Sequence, residues 1–254
     1  MDKNSNAYTF IYASVMVIVV AIILSSLSGA LKPYQQKNRE MEKMQNILAS
    51  IGVFVGPEES IAKYKELVKE ELVVNKKGEV LSIYRDGKFE KGDTRAFDIN
   101  LKVQYAEIEK GSDGQLPIYE IEDKGNTYYV IPVRGKGLWG PIWGNVALES
   151  DFNTIYGANF DHEGETPGLG AEIAEKPAPG KVVFSDQFKG KKIFDANGNF
   201  VSVTVVKGGV KNQSKVKPDN GVDAISGSTL TCNGVTEMLH HSLGLYVEYF
   251  KNHK

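Results

Sequence analysis

The sequence has a single cysteine and no block of basic residues. With Cys232 as the one thiol among 254 residues, a disulfide within the chain and an all-cysteine metal or iron–sulfur site are both excluded. The formal net charge of -2 gives no indication of a nucleic-acid partner. The Walker A, GxGxxG, nucleophile-elbow and zinc-ligand patterns are also missing, so no nucleotide cradle or catalytic triad is predicted.

Histidine is scarce too, and its spacing does not predict a metal site. The four histidines are His162, His240, His241 and His253, and the adjacent pair would point to different faces of a helix. We interpret all four as surface or core residues. Cys232 lacks a neighbouring constellation that would activate it as a nucleophile or as a thiol that links a cofactor, so a small helix residue is the favoured interpretation.

Charge is missing altogether from residues 4–31, whose centre is the apolar run 10–24. About 20 apolar residues suffice to cross a bilayer, and this run exceeds the ~7–15 residues of a signal-peptide core. Although Ser28-Gly29-Ala30 resembles a cleavage site, we favour an uncleaved transmembrane anchor. Lys3 precedes the span, whereas four basic residues follow it. Taken alone, this bias would keep the body of the chain in the cytoplasm, but a long following domain can override it.

Hydrophobic periodicity predicts helices first and strands afterwards. An amphipathic helix is expected over 35–51, and a second from Pro57 with an apolar face that reaches Leu72. After Gly78 the pattern is typical of strands, with hairpin turns at Asp86-Gly87 and Asn197-Gly198. The predicted strands cover 81–84, 101–105, 116–121, 128–133, 146–148, 156–160, 181–184, 192–194 and 200–206. One C-terminal helix is expected to carry Val235 to Phe250 on its apolar face.

The fold class predicted from this order is α+β. Residues 1–32 form the transmembrane anchor, 33–77 a helical neck, and 78–254 a single domain with an antiparallel sheet and flanking helices. Within that domain, residues 135–144 hold four glycines, a proline and both tryptophans. This pattern predicts a loop that is either a packed corner, which is the favoured interpretation, or a wall for a flat ligand.

The stretch Asp223–Thr231 combines a carboxylate with four hydroxyls, from Ser226, Ser228, Thr229 and Thr231, directly before the last helix. The free N–H groups and positive dipole end of a helix suit a phosphate. Serine and threonine are equally the usual N-cap residues. Local chemistry alone favours the capping interpretation.

Two segments resemble the FMN-binding domain family. Asp223-x-x-Ser226-Gly227-Ser228-Thr229 is similar to the family's flavinylation motif, D-x-x-(S/T)-G-A-T, with Ser228 in place of alanine. The segment 165–170, Glu-Thr-Pro-Gly-Leu-Gly, matches the family's E-T-P-G-L-G. The resemblance implies that a flavin transferase attaches FMN covalently, through a phosphoester to Thr229, with Thr231 as the alternative acceptor. It also implies that Asp223 belongs to the sequence that the transferase recognises.

The resemblance implies further cofactor-binding residues. They are Glu165, Thr166, Gly168, Leu169, Gly170, Trp139, Ser226, Gly227, Ser228 and Thr231. No residue is expected to be catalytic by itself, because the bound FMN would carry the redox chemistry.

The whole chain is similar to the C-subunit family of Na+-translocating NADH:quinone reductases, which also has one N-terminal anchor. This similarity implies an electron relay between other subunits of a membrane complex, with the soluble domain in the periplasm and no nucleic-acid partner. The shorter G subunits of Rnf electron-transport complexes share both flavin motifs and are the alternative. A non-redox, membrane-tethered binding or assembly module is the alternative from another class.

Overall fold

The computed structural model describes residues 6–178 and 180–253. The chain divides into two compact units, Met1–Lys43 and Met44–Lys254. The division into residues 1–32, 33–77 and 78–254 stays a prediction.

A single long helix begins the chain. This helix, α1 (Asn6–Ala49), continues through Pro33, so the prediction of a separate helix over 35–51 is wrong, whereas the end of the membrane span near Pro33 stays a prediction. Proline removes one hydrogen bond, and here strongly helix-forming residues on both sides carry the helix past it. The helix is long and apolar enough to cross a membrane, a test that a signal sequence also passes. It is consistent with a single-pass anchor. Lys3 lies outside the described residues.

A seven-stranded antiparallel sheet forms the centre of the second unit, with the strand order β3-β2-β1-β4-β5-β6-β7. The strands are β1 (Val68–Val74), β2 (Val80–Arg85), β3 (Lys88–Lys91), β4 (Leu116–Asp123), β5 (Asn126–Lys136), β6 (Pro141–Leu148) and β7 (Ile155–His162). The α+β class and the antiparallel sheet are therefore confirmed.

Both faces of the sheet are buried at its inner strands. Ile131 and Val133 of β5 belong to one apolar cluster, while Val130 belongs to the other, as the alternation of side chains along a strand requires. The first cluster includes the C-terminal helices described below. The second includes Ile47 and Leu48 at the end of α1. Burial on both faces fixes the register of the central strands.

The central strand β1 was predicted as helix. Helix α2 (Pro57–Leu67) ends where β1 begins, so the apolar face assigned to one helix as far as Leu72 is divided between two elements. Leu72 and Val74 enter the first cluster, and Val73 enters the second. The β-branched valines of this segment suit a strand that is buried on both sides.

Residues 101–105 form helix instead of the predicted strand. Helix α3 (Leu101–Glu109) begins after Asn100, whose side chain accepts a hydrogen bond of 3.1 Å from the N–H of Lys102. An asparagine N-cap of this kind stabilises a helix start. Leu101 and Tyr105 are also four residues apart, so they satisfy the helical period as well as the strand period.

Three of the predicted strands near the C-terminus are short or missing. Residues 184–188 form a 3-10 helix, and the segments 192–194 and 200–206 contribute two isolated bridges and the three-residue strand β8 (Thr204–Val206). The apolar side chains of these segments fill the first cluster without joining the sheet. The turn predicted at Asn197-Gly198 is present, with the N–H of Gly198 bonded to the carbonyl of Asp195 at 3.0 Å.

The C-terminal part contains two helices where one was predicted. Strand β9 (Gly221–Asp223) pairs in parallel with β8 and leads through residues 224–228 into α4 (Thr229–Gly244), which is followed by α5 (Val247–Asn252). Helix α4 contacts β5, and this contact sets the start of α4 beside the β5–β6 turn.

Candidate functional site

The hydroxyl-rich stretch 223–231 lies at the start of α4, as expected, but the side chain of Ser228 does not cap the helix. Ser228 holds the N-cap position and makes no side-chain capping bond. Its Oγ is buried and has no hydrogen-bond partner among the described residues. A buried hydroxyl without a partner is costly, so the capping interpretation does not explain why Ser228 is there.

The four hydroxyls differ sharply in exposure. Thr231 is 2% exposed and Ser228 is 5% exposed. Thr229 is half-buried, in the first turn of α4, and Ser226 is exposed in the preceding turn. A large molecule in solution can therefore reach only the hydroxyls of Thr229 and Ser226.

Glu165 is the polar centre of the site. This carboxylate is 4% exposed, and its Oε2 accepts a hydrogen bond of 2.7 Å from the hydroxyl of Thr231. Its Oε1 accepts one of 2.9 Å from the backbone N–H of Trp139. A buried carboxylate needs such partners. Glu165 therefore joins helix α4 to the β5–β6 turn, and both of its oxygens face the protein interior.

Glycine is required beside this carboxylate by close approach. A Cβ placed on Gly170 would lie 2.5 Å from Thr231 Oγ1 and 2.6 Å from Glu165 Oε2. A Cβ on Gly137 would collide with Glu165 Oε1. The last glycine of the 165–170 segment and the first residue of the β5–β6 turn thus leave room for the carboxylate.

Residues 135–144 do not form one loop. Gly135 and Lys136 end β5, and Pro141 begins β6, so a tight turn remains at 137–140 in which the N–H of Gly137 bonds to the carbonyl of Gly140 at 2.8 Å. Trp139, on this turn, is 69% exposed. The favoured prediction of a packed corner is therefore wrong for Trp139.

The segment 165–170 contacts both the β5–β6 turn and the segment 223–231. The indole Nε1 of Trp139 donates to Thr166 Oγ1 at 3.2 Å. A Cβ on Gly227, which has a φ of +78°, would lie 2.7 Å from Leu169 Cδ2. Leu169 is 40% exposed, so an aromatic ring and an aliphatic side chain stand open to solvent on either side of these contacts. Gly168, the residue directly before Leu169, also has a positive φ of 74°.

Asp223 lies at the end of β9 and is exposed. Its Oδ1 accepts a hydrogen bond of 2.7 Å from the N–H of Val210, and its own N–H donates to Gln187 Oε1 at 2.9 Å. These contacts hold the segment 208–212 in place. They are separate from the hydrogen bonds of Glu165.

One residue of the site was missed by sequence reasoning. The Nδ1 of His162 accepts a hydrogen bond of 3.1 Å from the N–H of Glu165. The signal available was its position three residues before Glu165.

Cys232 is buried, and its burial raises the pKa of the thiol although a hydrogen bond with the backbone of Ile225 opposes the shift. The thiol is not activated as a nucleophile.

Fold and site together define an FMN-binding α+β domain. The family model described as FMN-binding domain matches residues 137–244, which include the β5–β6 turn, the 165–170 segment and the whole of α4. The unpartnered Ser228 hydroxyl, the accessible Thr229 and the exposed Trp139 and Leu169 fit a phosphate and a flat ring system.

Comparison with known proteins identifies the family more closely. The chain is 32% identical to the C-subunit of the Na(+)-translocating NADH-quinone reductase of Pseudomonas aeruginosa over 253 residues, covering 96% of this chain and 93% of the relative. The corresponding protein of Haemophilus ducreyi is 30% identical, with 96% and 91% covered. The chain therefore belongs to the C-subunit family of Na(+)-translocating NADH-quinone reductases.

Two solved structures agree. The crystal structure of the C-subunit of this reductase from Parabacteroides distasonis superposes with a TM-score of 0.72 at 42% identity, covering 87% of this chain and 96% of that one. NqrC from Shewanella oneidensis superposes with a TM-score of 0.63 at 29% identity, covering 84% and 97%. The family resemblance drawn from the two motifs is confirmed.

Proposed function

We propose that this chain is an electron-relay subunit of a sodium-pumping NADH:quinone reductase and holds FMN covalently, through a phosphoester to Thr229. The observation that carries the proposal is the difference between the two threonines in the first turn of α4, Thr229 and Thr231. Thr231 is buried and its hydroxyl is bonded to Glu165, whereas Thr229 is half-buried and makes no such bond within the described part of the chain. The alternative acceptor, Thr231, is committed to the protein interior.

The start of α4 suits a phosphate diester. The first N–H groups of a helix have no intrahelical partner, and the dipole places positive potential at this end. The buried hydroxyl of Ser228, next to Thr229, supplies another donor that has no partner among the described residues. Ser228 stands where the family motif has alanine, so this donor would be an addition to the usual site.

The ring system would lie against the exposed apolar side chains of Trp139 and Leu169. FMN, when bound, supplies the redox chemistry. The chain's own residues orient it. Glu165 holds the turn of Trp139 and the first turn of α4 together. Gly227 lets the two segments approach, and Gly168 adopts the positive φ that its own segment requires. We further propose that Thr166 and Ser226, at the edges of this surface, contact the cofactor, and that Asp223 serves recognition by the flavin transferase.

The proposed topology places the second unit in the periplasm, with the apolar part of α1 in the cytoplasmic membrane. Lys32, Lys37, Arg39 and Lys43 follow the apolar run and favour the opposite orientation, but a long domain translocates largely regardless of such charges. Protease treatment of intact spheroplasts tests this. Digestion of the domain is expected, and protection of the domain would contradict the periplasmic placement.

Covalent flavin is tested by fluorescence of the denatured protein on a gel after coexpression with a flavin transferase. The wild-type chain and the Ser228→Ala variant, which restores the alanine of the family motif, are expected to give a fluorescent band, and Thr229→Val none. Thr229→Ser, which keeps the hydroxyl and removes only the methyl group, is the control for a change in side-chain shape. A band that survives in Thr229→Val would overturn the assignment, and a colourless wild-type chain would favour the non-redox module.

A further inference from the structure

The segment 165–170 does not satisfy all of its backbone donors by itself. The N–H groups of Leu169 and Ala171 both donate to the carbonyl of Thr166 at 3.1 Å, which closes a tight turn. The N–H groups of Glu165 and Gly168 donate instead to side chains that lie outside the segment. The conformation of the segment therefore depends on residues that the family motif does not contain.

The first of these side chains is His162, at the end of β7. Its Nδ1 accepts a hydrogen bond of 3.1 Å from the N–H of Glu165, so this ring nitrogen carries no proton. The backbone of His162 is itself fixed, because it pairs with Ile142 of β6 and its N–H donates to Asp161 Oδ1 at 2.8 Å. A strand end thus sets the place where the segment begins.

The second side chain is Glu172, which lies in the 3-10 helix Gly170–Ala174. Its Oε1 accepts the N–H of Gly168 at 3.1 Å, and its own N–H donates to the carbonyl of Leu169 at 3.1 Å. Glu172 therefore bonds to the peptide groups on both sides of the Gly168–Leu169 pair. These two bonds fix the backbone of the pair and, with it, the direction of the Leu169 side chain.

Both ends of the segment contact the start of α4. At one end, Glu165 accepts the hydroxyl of Thr231. At the other end, Leu169 lies so close to Gly227 that a Cβ on this glycine would be 2.7 Å from Leu169 Cδ2. Thr229 lies between Gly227 and Thr231 in the chain. A displacement of either end of the segment would therefore alter a contact beside Thr229.

We propose that His162 and Glu172 are positioning residues for the flavin. Each holds one end of the segment 165–170, and together they set how Glu165 and Leu169 meet the start of α4. Glu172 acts as a hydrogen-bond acceptor, and its charge is not what the site requires. The inference rests on the proposed function, because it needs FMN at this surface.

Glu175 offers a matched comparison for Glu172. Its carboxylate pairs with Lys181, and no hydrogen bond from its side chain to the segment 165–170 is found among the described residues. The pKa of Lys181 is raised by its hydrogen bond with Glu175, by the charge of Glu175 and by that of Glu172, so both carboxylates lie near one cation. The two glutamates thus share a charge environment and differ in the bond to Gly168.

Amide hydrogen exchange in the full chain, produced without a flavin transferase, tests the two hydrogen bonds. Glu172→Ala is expected to speed the exchange of the Gly168 N–H about tenfold, the effect of one lost hydrogen bond. Glu172→Gln, which keeps an acceptor oxygen, and the control Glu175→Ala should exchange as the wild type does. His162→Ala should speed the exchange of the Glu165 N–H, and His162→Asn, whose Oδ1 can replace Nδ1, should restore it.

The flavin supplies the second readout, in the chain coexpressed with a flavin transferase. Glu172→Ala and His162→Ala are expected to lower the fraction of chains that carry covalent flavin and to shift its midpoint reduction potential. Glu172→Gln and His162→Asn should restore both values. Glu175→Ala removes a charge near the same cation and should leave both unchanged.

An unchanged potential in a folded Glu172→Ala or His162→Ala variant would contradict the positioning role. Equal shifts in Glu172→Ala and Glu172→Gln would indicate an effect of charge and would overturn it too. If Glu172→Ala does not fold, Glu172→Asp takes its place, because it keeps the charge on a side chain too short to reach Gly168.

The two levels of proposal fail differently. A wild-type chain without covalent flavin would contradict the proposed function and this inference with it. A wild-type chain that carries flavin, together with alanine variants that match it in amide exchange and potential, would contradict the inference alone.

Discussion

The hydroxyl of Thr231 donates to the carboxylate of Glu165 at 2.7 Å, across 66 positions of the chain. This bond joins the two segments that carry the family motifs. It also distinguishes the two threonines in the first turn of α4, because Thr231 is bonded inward and Thr229 makes no such bond within the described residues. The same carboxylate accepts the N–H of Trp139, so one buried charge orders three parts of the site.

Thr231→Val is expected to destabilise the protein by about 1–3 kcal/mol, since valine keeps the shape but leaves a buried carboxylate oxygen without its partner. Denaturant unfolding measures this change. Thr229→Val is the matched control and should change the free energy of unfolding by less than about 0.5 kcal/mol, because its side chain is half-buried and is not bonded to Glu165. Equal effects of the two variants would contradict the division of roles.

Gly170→Ala should disturb the site through its contact with Thr231 and Glu165, where a Cβ would lie 2.5–2.6 Å from their oxygens. We expect a loss of about 1–3 kcal/mol in stability and reduced flavin incorporation. Gly164→Ala, in the same loop, meets nothing within 4 Å and serves as the control. If both variants incorporate flavin as the wild type does, close packing at Gly170 is not required.

Alkaline pH should unfold the protein through its buried tyrosines. Burial raises the pKa of Tyr64, Tyr119 and Tyr246 well above the ordinary value of 10.0, and raises the pKa of Tyr105 to about 12. Because these groups hold their protons more tightly when folded, their contribution to stability is complete below about pH 10 and falls as the pH rises further.

Tyrosinate absorbance measured together with circular dichroism checks this expectation. The buried tyrosines should ionise only as the protein unfolds, so the rise in tyrosinate absorbance should coincide with the loss of the circular dichroism signal. Complete ionisation near pH 10 with the fold intact would contradict the burial of these rings.

Cys232 should react slowly with alkylating reagents in the native protein. It is 1% exposed, and burial raises the pKa of its thiol, so both access and thiolate content are low. Mass spectrometry after timed alkylation at pH 8 should show modification only once denaturant is added. Rapid labelling of the folded chain would indicate a reactive thiol that this geometry does not explain.

The two motifs could be recognised in the sequence because their residue types are specific. The turns at Asp86-Gly87 and Asn197-Gly198 could be predicted because such dipeptides favour tight turns. The errors have physical causes. The apolar residues around Leu72 and around Tyr105 fit both the helical and the strand period, and only tertiary contacts decide which structure forms. The apolar segments at 181–184 and 192–194 satisfy burial without a strand partner. The inward direction of Glu165 depends on a contact with Thr231 that no local pattern contains.

The central claim is tested most directly by fragment mass spectrometry of the α4 peptide from the chain coexpressed with a flavin transferase. The added mass of FMN is expected on Thr229, while Ser226, Ser228 and Thr231 are expected to be unmodified. An unmodified Thr229, or the same mass on Thr231, would contradict covalent attachment at Thr229.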